Sequence, residues 1–563
     1  MDNMRTLPDR FFANASRFAD RTCFASRSSE GWETLSWRES ERMVRVISSN
    51  LVKQGIAPGD RVVLLSENRP EWALFNIAIM NVGAIVVPAY TTHTETDLAH
   101  IIDLVGPAAA ITSAATVQRF LLSARNSGGL KMLWAEGDQG SDSSQQFKMY
   151  SWDSLLTGEL SDRVMHVPSL DDTCCLCLTS GTSGLPKAAM LTHRSIGANV
   201  DSAISILERF NFGSQDRFLS FLPLAHAYEH TAGLHMPISM GAEIWFCEST
   251  DKLQQYLPEV RPTVATAVPR LYDLLYNRIN SQLANASPLK QKLFAKTLEL
   301  GRKKIREESL SLVERVIDGV LDRIVRHKVR ERFGGRIRYF VSGGAALNPE
   351  VGEFFTALGV GIIQGYGQTE ASPLISVNSP DWVKLDSVGR PFEGVDVRLA
   401  ADGELLVRGA CVMKGYWEDP QATEGALMGG WLHTGDLATI DSDGFIRITG
   451  RKKDLIVTSG GDNIAPSKIE AMLCTREEIE QAVVFGDGRP WLGAIIVPSE
   501  SGNTRTDQAV KEINAQLNSA EKIRKYIVRN DPCTTENGLL TPTQKIKRNR
   551  LIELHRSEID ALY

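Results

Sequence analysis

Asp60-Arg-Val-Val-Leu-Leu-Ser-Glu-Asn-Arg-Pro-Glu-Trp-Ala-Leu-Phe-Asn-Ile-Ala-Ile-Met-Asn-Val-Gly-Ala-Ile-Val-Val87 reads as a strand, a helix and a second strand. Residues 60–66 form an apolar strand run, residues 71–80 a helix, and residues 84–87 the next strand. No charged residue occurs from Trp72 to Tyr90, yet Asn76, Asn81, Gly83 and Pro88 interrupt the stretch. A buried helix followed by a buried strand therefore explains it better than a membrane span. Residues 108–112 give another strand, and the rhythm resumes at 216–221, 242–246, 264–268, 338–342 and 360–364. Strands alternating with helices imply an α/β chain with parallel sheets covered on both faces.

A chain of 563 residues exceeds a single core, so several folding units with clefts between them are expected. With 43% hydrophobic and 23% charged residues it is neither disordered, collagen-like nor membrane-embedded. Sixty-two Lys and Arg against 68 Asp and Glu give a net charge of -6, so no nucleic-acid partner is expected. Eight cysteines are too sparse for a disulfide scaffold, and Cys174-x-x-Cys177 lies in an apolar run. These read as buried strand thiols in a reducing, cytoplasmic setting. Residues 1–22 hold no continuous apolar core, so no secretory signal is expected.

Residues 290–332 read as helical and heavily charged, with thirteen Lys or Arg and seven Asp or Glu, a local net charge of +6. A solvated helical face is the expectation; a patch for anionic lipid surfaces or a polyanionic substrate is the alternative. After Pro391 the texture changes to short β-runs at 395–399, 404–408 and 446–449, a small β-rich subdomain. The last unit, after Lys453, holds a hairpin of residues 483–485 and 494–497 turning through Asp487-Gly-Arg-Pro490, and a basic helix from Lys545.

The strongest local signal is Leu178-Thr-Ser-Gly-Thr-Ser-Gly-Leu-Pro-Lys187, between one apolar strand and a short second one at 188–191, with a helix starting near Thr192. Interleaved hydroxyls and glycine amides make a nest for phosphate oxygens, and the lysine adds a point charge. It is not a Walker A loop, because the lysine stands three residues past Gly184 and is followed by Ala188.

With these residues the chain resembles the adenylate-forming enzymes, which include acyl-CoA synthetases, luciferases and adenylation domains, over essentially its whole length. The resemblance implies a large N-terminal domain, residues 1–452, of two α/β subdomains (about 1–170 and 171–390) and a β-barrel-like one (391–452). A mobile α+β C-terminal domain, 453–563, would turn on a hinge at Lys453. Thr179, Ser180, Gly181, Thr182, Ser183, Gly184 and Lys187 would bind phosphates. Val341-Ser-Gly-Gly-Ala-Ala-Leu347 and Gly365-Tyr-Gly-Gln-Thr-Glu370 would frame the nucleotide through Gly343, Gly344, Ala345, Gly365, Tyr366 and Gly367. Within them Tyr366 would stack on adenine, Thr369 would meet the α-phosphate, and Glu370 with Thr182 would hold Mg²⁺.

In Gly430-Trp-Leu-His-Thr-Gly-Asp436 the resemblance assigns Asp436 to the ribose hydroxyls, as a carboxylate does in dinucleotide folds. In Gly450-Arg-Lys-Lys-Asp-Leu-Ile456, Arg451 matches the ribose and phosphate arginine; Ser459, Gly460 and Gly461 would admit the pantetheine arm of CoA. Gly538-Leu-Leu-Thr-Pro-Thr-Gln-Lys-Ile-Lys-Arg548 makes Lys545 the catalytic lysine, with Lys547 the alternative because Gln544 replaces a common glycine. In Leu222-Pro-Leu-Ala-His-Ala-Tyr-Glu229, His226 would sit beside the acyl carboxylate, and His230 falls where some long-chain members place a gating aromatic. Ala188 and Gln368 depart from the family pattern, the second near the expected acyl pocket.

The implied activity is ATP-dependent conversion of a medium- to long-chain fatty acid to acyl-adenylate and then acyl-CoA, using ATP, Mg²⁺ and CoA. The long-chain reading rests on the form of residues 222–229, the helical insertion at 290–332 and the ending at 539–548. The alternatives are a fatty acyl-AMP ligase loading a carrier protein, an aryl or short-chain CoA ligase, and a silent binding protein that kept the fold. Peripheral attachment to the inner face of a membrane is the alternative to a purely cytoplasmic location, and the oligomeric state stays open.

Overall fold

In the computed structural model, which describes residues 4–125, 129–137, 147–160, 166–179, 186–499, 505–535, 537–541 and 545–563, the opening stretch forms the strand Arg61–Leu65, the helix Pro70–Asn81 and the strand Ile85–Pro88. The two strands pair in parallel, Val62 beside Val86. Pro70 occupies the first turn of the helix, where its missing N–H costs nothing. Ten of the twelve helix residues, Pro70 and Trp72–Met80, are buried. That all-round burial is why the helix carries no charge after Glu71.

These strands belong to a seven-stranded sheet ordered Lys148–Ser151, Met132–Ala135, Ala109–Thr112, Arg61–Leu65, Ile85–Pro88, Thr173–Thr179 and Lys187–Thr192. It is parallel up to its last pair, which is antiparallel. A nine-stranded sheet runs Arg390–Pro391, Leu374–Val377, Gly361–Gly367, Tyr339–Ser342, Val264–Ala267, Arg217–Ser220, Glu243–Phe246, Thr22–Arg27 and Trp32–Ser36. Its interior is parallel and both edges are antiparallel. The sheets do not divide the chain at residue 170. The early hairpin Thr22–Ser36 completes the nine-stranded sheet, and strands after 170 complete the seven-stranded one. One hydrophobic cluster carries residues of both sheets, such as Val62 and Phe218, together with Trp37, Phe75 and Ile196 from helices. Each such fully buried side chain contributes about 1.5–3 kcal/mol.

Past Pro391 the chain forms a five-stranded antiparallel sheet that includes Val395–Leu399, Glu404–Gly409, Trp431–Ile440 and Ile446–Arg451. The final segment builds a three-stranded sheet in which Ile479–Phe485 and Leu492–Pro498 make the expected hairpin. Ile523–Val528 then adds in parallel. The basic helix begins at Arg548 rather than Lys545. Ahead of it Thr541 N donates to the Lys545 carbonyl at 2.8 Å and Lys545 N to Thr541 Oγ1 at 3.0 Å. Cys174, Cys175 and Cys177 lie buried in the Thr173–Thr179 strand. No described helix is long and apolar enough to cross a membrane.

Candidate active site

A cavity of about 840 Å³ opens where the strand ends of the two large sheets meet the five-stranded sheet and the C-terminal unit. Thr179, Lys187, His226, Gly343, Gly344, Gly365, Tyr366, Gly367, Thr369, Glu370, Arg451, Lys453 and Lys545 all line it. Residues spread over more than 360 positions of sequence thus converge on one space. Ser180, Gly181, Thr182, Ser183 and Gly184 lie outside the described residues.

Glycine is required where backbones crowd the site. A Cβ on Gly367 would stand 1.8 Å from the Pro373 carbonyl oxygen, and one on Gly343 would stand 3.0 Å from the Tyr228 ring. Tyr228 is fixed there because its hydroxyl donates to the Val341 carbonyl at 2.8 Å.

Asp436 is only 3% exposed and lies just behind the lining. It accepts from the Tyr366 hydroxyl at 2.6 Å and from Arg451 Nε at 2.9 Å. The strand pairing makes this contact local, since Asp436 faces Arg451 across Trp431–Ile440 and Ile446–Arg451. Burial and the Asp436 charge push the Tyr366 phenol well above its ordinary value, so it stays a donor. A second cluster joins Lys187, Glu370, Tyr416 and Asp419. Glu370 Oε1 accepts from the Tyr416 hydroxyl at 2.7 Å. Lys187 Nζ lies 5.1 Å from the Tyr416 ring centre and 3.8 Å from the Asp419 carboxylate. Tyr416 gets there because Lys187–Thr192 pairs with it, Trp417 N donating to the Ala188 carbonyl at 2.8 Å.

Lys545 is solvent-exposed at the cavity, yet desolvation by the protein crowded around it, together with the Arg451 charge, lowers its pKa from the ordinary value. His226 Nδ1 accepts from Tyr228 N at 3.2 Å. Burial, with the Lys545 charge, pushes His226 down to about 4, leaving it neutral near pH 7. Lys547 is absent from the described lining and instead acts electrostatically on His93 and Asp97. Of the two candidate lysines the fold brings Lys545 to the cavity. Lys187, Arg451, Lys452, Lys453 and Lys545 together face Glu370, Glu404 and Asp454, a cationic excess suited to a polyphosphate.

The same cavity is also lined by apolar side chains. Ala203, Ile206 and Leu207 come from the helix His193–Glu208, Met236 from the helix after the π-turn Glu229–His235, and Ile363, Leu374, Val377 and Phe392 from the nine-stranded sheet and its flank. Gln368 lines the same cavity and is pinned by its backbone N–H to the Pro373 carbonyl at 2.8 Å. His230 is not part of this lining. It is buried, with Nε2 3.0 Å from Asn76 Oδ1.

Two expected groups lie elsewhere. Ser459, Gly460 and Gly461 form an exposed turn between the short strands Ile456–Val457 and Asn463–Ile464, away from the described lining. Ala345 is exposed beside the lining residue Gly344. Sequence reasoning missed Tyr416, Asp419 and Lys452. The run Gly415-Tyr-Trp-Glu-Asp-Pro420 places an aromatic and two acids before a proline, a signal a closer reading could have used.

The sequence model described as AMP-binding enzyme matches residues 11–417, and that described as AMP-binding enzyme C-terminal domain matches residues 453–563. The chain is 33% identical to the protein named Long-chain-fatty-acid--CoA ligase FadD15 of Mycobacterium tuberculosis, over 94% of this chain and 92% of the relative. It is 31% identical to Long-chain-fatty-acid--CoA ligase 1 of Cavia porcellus, over 100% of this chain and 87% of that one. Among solved structures, the adenylation domain of a carboxylate reductase from Mycobacterium chelonae superposes with a TM-score of 0.80 at 21% identity, covering 100% of this chain and 91% of that one. The A domain of a carboxylic acid reductase from Segniliparus rugosus, in complex with AMP and a co-purified carboxylic acid, gives 0.79 at 22%, covering 99% and 94%.

Proposed function

The chain belongs to the AMP-binding enzyme family, and from that premise we propose that it is an AMP-forming long-chain fatty acid–CoA ligase. The observation that carries the reading is a single cavity lined both by cationic and hydroxyl groups and by aliphatic side chains. That pairing suits a nucleotide polyphosphate meeting the carboxylate of an aliphatic acid. Relatives named as long-chain fatty acid–CoA ligases along nearly the whole chain support the substrate class.

In the first half-reaction one carboxylate oxygen attacks the α-phosphorus of ATP, the bond to the bridging oxygen breaks, and pyrophosphate leaves with its electron pair. Negative charge grows on the phosphate oxygens, so fixed cations and donors lower the barrier. Lys545 and Lys187 supply charge, Thr369 a hydroxyl donor, and neutral His226 a polar neighbour for the carboxylate. Asp436 and Arg451 would hold the ribose, and Tyr366 would offer adenine its ring. Mg²⁺ needs hard oxygen ligands and typically takes one or two carboxylates plus substrate phosphates. Glu370 fits that need, and when bound the ion would neutralise charge on the phosphates.

In the second half-reaction the CoA thiolate attacks the acyl carbonyl and AMP leaves. Lys545 now fills the side of the cavity nearest the C-terminal unit, while Ser459–Gly461 stand outside it. The reading therefore includes a rotation of residues 453–563 about Lys453 that withdraws Lys545 and brings the glycine turn to the thiol path. The test is a panel of acids from acetate to oleate, scored as AMP formation with and without CoA. Long-chain acids should give the highest kcat/KM and require CoA for turnover. Pyrophosphate release that ignores every acid would refute the reading.

A further inference from the structure

The helix Leu312–Leu321 is inside out. It is firmly started: Ser311 Oγ accepts from Glu314 N at 3.3 Å, and Glu314 Oε2 accepts from Ser311 N at 2.9 Å. Its two acidic residues turn inward. Glu314 pairs with Lys303 at 2.6 Å, and Asp318, which is buried, pairs with Arg326 at 2.8 Å and with Lys304. Its apolar residues, Leu321 excepted, turn outward. Leu312, Val316 and Val320, spaced by four, are 80%, 70% and 53% exposed, with Val313 beside them at 69%, and Ile324, in the π-helical turn Asp322–Arg326 that continues the helix, is 42% exposed. Residues at this spacing share one face. Single exposed aliphatics are ordinary on a protein surface, but a continuous ridge of them marks an interaction site.

Charge selects the partner. Arg315, Arg323 and Lys328 are exposed in the same run and make no ion pair among the described residues. Residues 290–332 carry a net +6 in a chain of -6. A second copy laid on this ridge would set that positive segment against itself. An anionic bilayer takes both features: headgroups meet the arginines, and the acyl boundary takes the aliphatic side chains.

We propose that the ridge Leu312–Val316–Val320–Ile324, flanked by Arg315, Arg323 and Lys328, docks the protein reversibly on anionic lipid membranes. The proposal goes beyond the adenylation reading and does not depend on it, because vesicle partition needs neither nucleotide nor acid. The experiment is co-sedimentation of the full chain with phosphatidylcholine vesicles, with and without about a quarter phosphatidylglycerol, at low and high salt. The wild type should partition onto the anionic vesicles and come off as salt rises. The double variant Val316→Asp/Val320→Asp should partition at least about tenfold less with an unchanged thermal midpoint, and Arg315→Ala/Arg323→Ala should lose most of the salt-sensitive binding. Wild-type binding that is absent, that ignores lipid charge, or that survives Val316→Asp/Val320→Asp would overturn the proposal. So would a lipid-free dimer that the double variant abolishes, since the ridge would then be covered by a second copy.

Discussion

Replacing Asp436 by alanine removes a carboxylate that is 3% exposed and engaged by two partners. The Tyr366 hydroxyl would lose its acceptor, at a cost of about 1 kcal/mol. Arg451 would lose its anion, but its side chain is half-exposed. Stranding it therefore costs well below the roughly 3–5 kcal/mol of a fully buried pair, on the order of 1 kcal/mol. The combined loss of about 2 kcal/mol lowers the thermal midpoint by a few degrees at most, so the variant stays folded. Function suffers more selectively. A carboxylate holding the ribose does so in ground and transition states alike, so its removal should raise the KM for ATP while kcat falls less. Two hydrogen bonds to a charged acceptor, at about 1.5–3 kcal/mol each, predict a rise of roughly a hundredfold or more. The assay is acid-dependent ATP–pyrophosphate exchange at varied ATP, with the thermal midpoint measured in parallel. A folded Asp436→Ala enzyme with the wild-type KM for ATP would refute the ribose assignment.

Lys545→Ala should slow adenylation on the order of a hundredfold to a thousandfold yet convert supplied acyl-adenylate to acyl-CoA in single turnover; Lys453→Pro, which fixes φ at the proposed hinge, should show the reverse. If Lys547→Ala rather than Lys545→Ala loses adenylation, the lysine assignment is displaced by two residues. Gly367→Ala would press a methyl onto the Pro373 carbonyl oxygen 1.8 Å away, so the Tyr366–Glu370 segment must shift; nucleotide affinity measured by calorimetry should fall at least about tenfold, at a stability cost of about 1–3 kcal/mol. Glu229 is buried, accepts from Ser220 Oγ at 2.6 Å and Thr266 Oγ1, and burial raises it from 4.5 to about 7. Its folded form keeps a proton that the unfolded chain releases, so stability is greatest below about pH 4.5 and falls by roughly 3 kcal/mol as pH rises to 7. Glu229→Gln should flatten that part of the profile, and denaturation midpoints at pH 5 and 8 that fall equally in both proteins would contradict it.

Much of the fold was legible because parallel strands are buried on both faces and read as unbroken apolar runs. The segment from Asp60 to Val87 is the clearest case. Sheet membership was not legible. Nothing local in the hairpin Thr22–Ser36 announces that Phe24 will pair with Ile244, more than two hundred residues away. The site motifs were readable where one stretch of chain carries both backbone shape and functional group, as around Tyr366 and Asp436. Tyr416 was missed because it reaches Glu370 only through its pairing with the strand after the Ser/Gly loop. Composition also hid the orientation of residues 312–324. An amphipathic pattern shows two faces but not which one the tertiary structure turns outward, and here ion pairs to Lys303, Lys304 and Arg326 hold Glu314 and Asp318 in.

The central claim is that a carboxylate oxygen becomes bonded to the α-phosphorus of ATP within this cavity. Single turnover with a long-chain acid labelled with oxygen-18 in its carboxylate, followed by mass spectrometry of the products after CoA addition, tests it directly. Attack at the α-phosphorus predicts one labelled oxygen in AMP, one retained in acyl-CoA and none in pyrophosphate. Unlabelled AMP, or label appearing in inorganic phosphate, would contradict it.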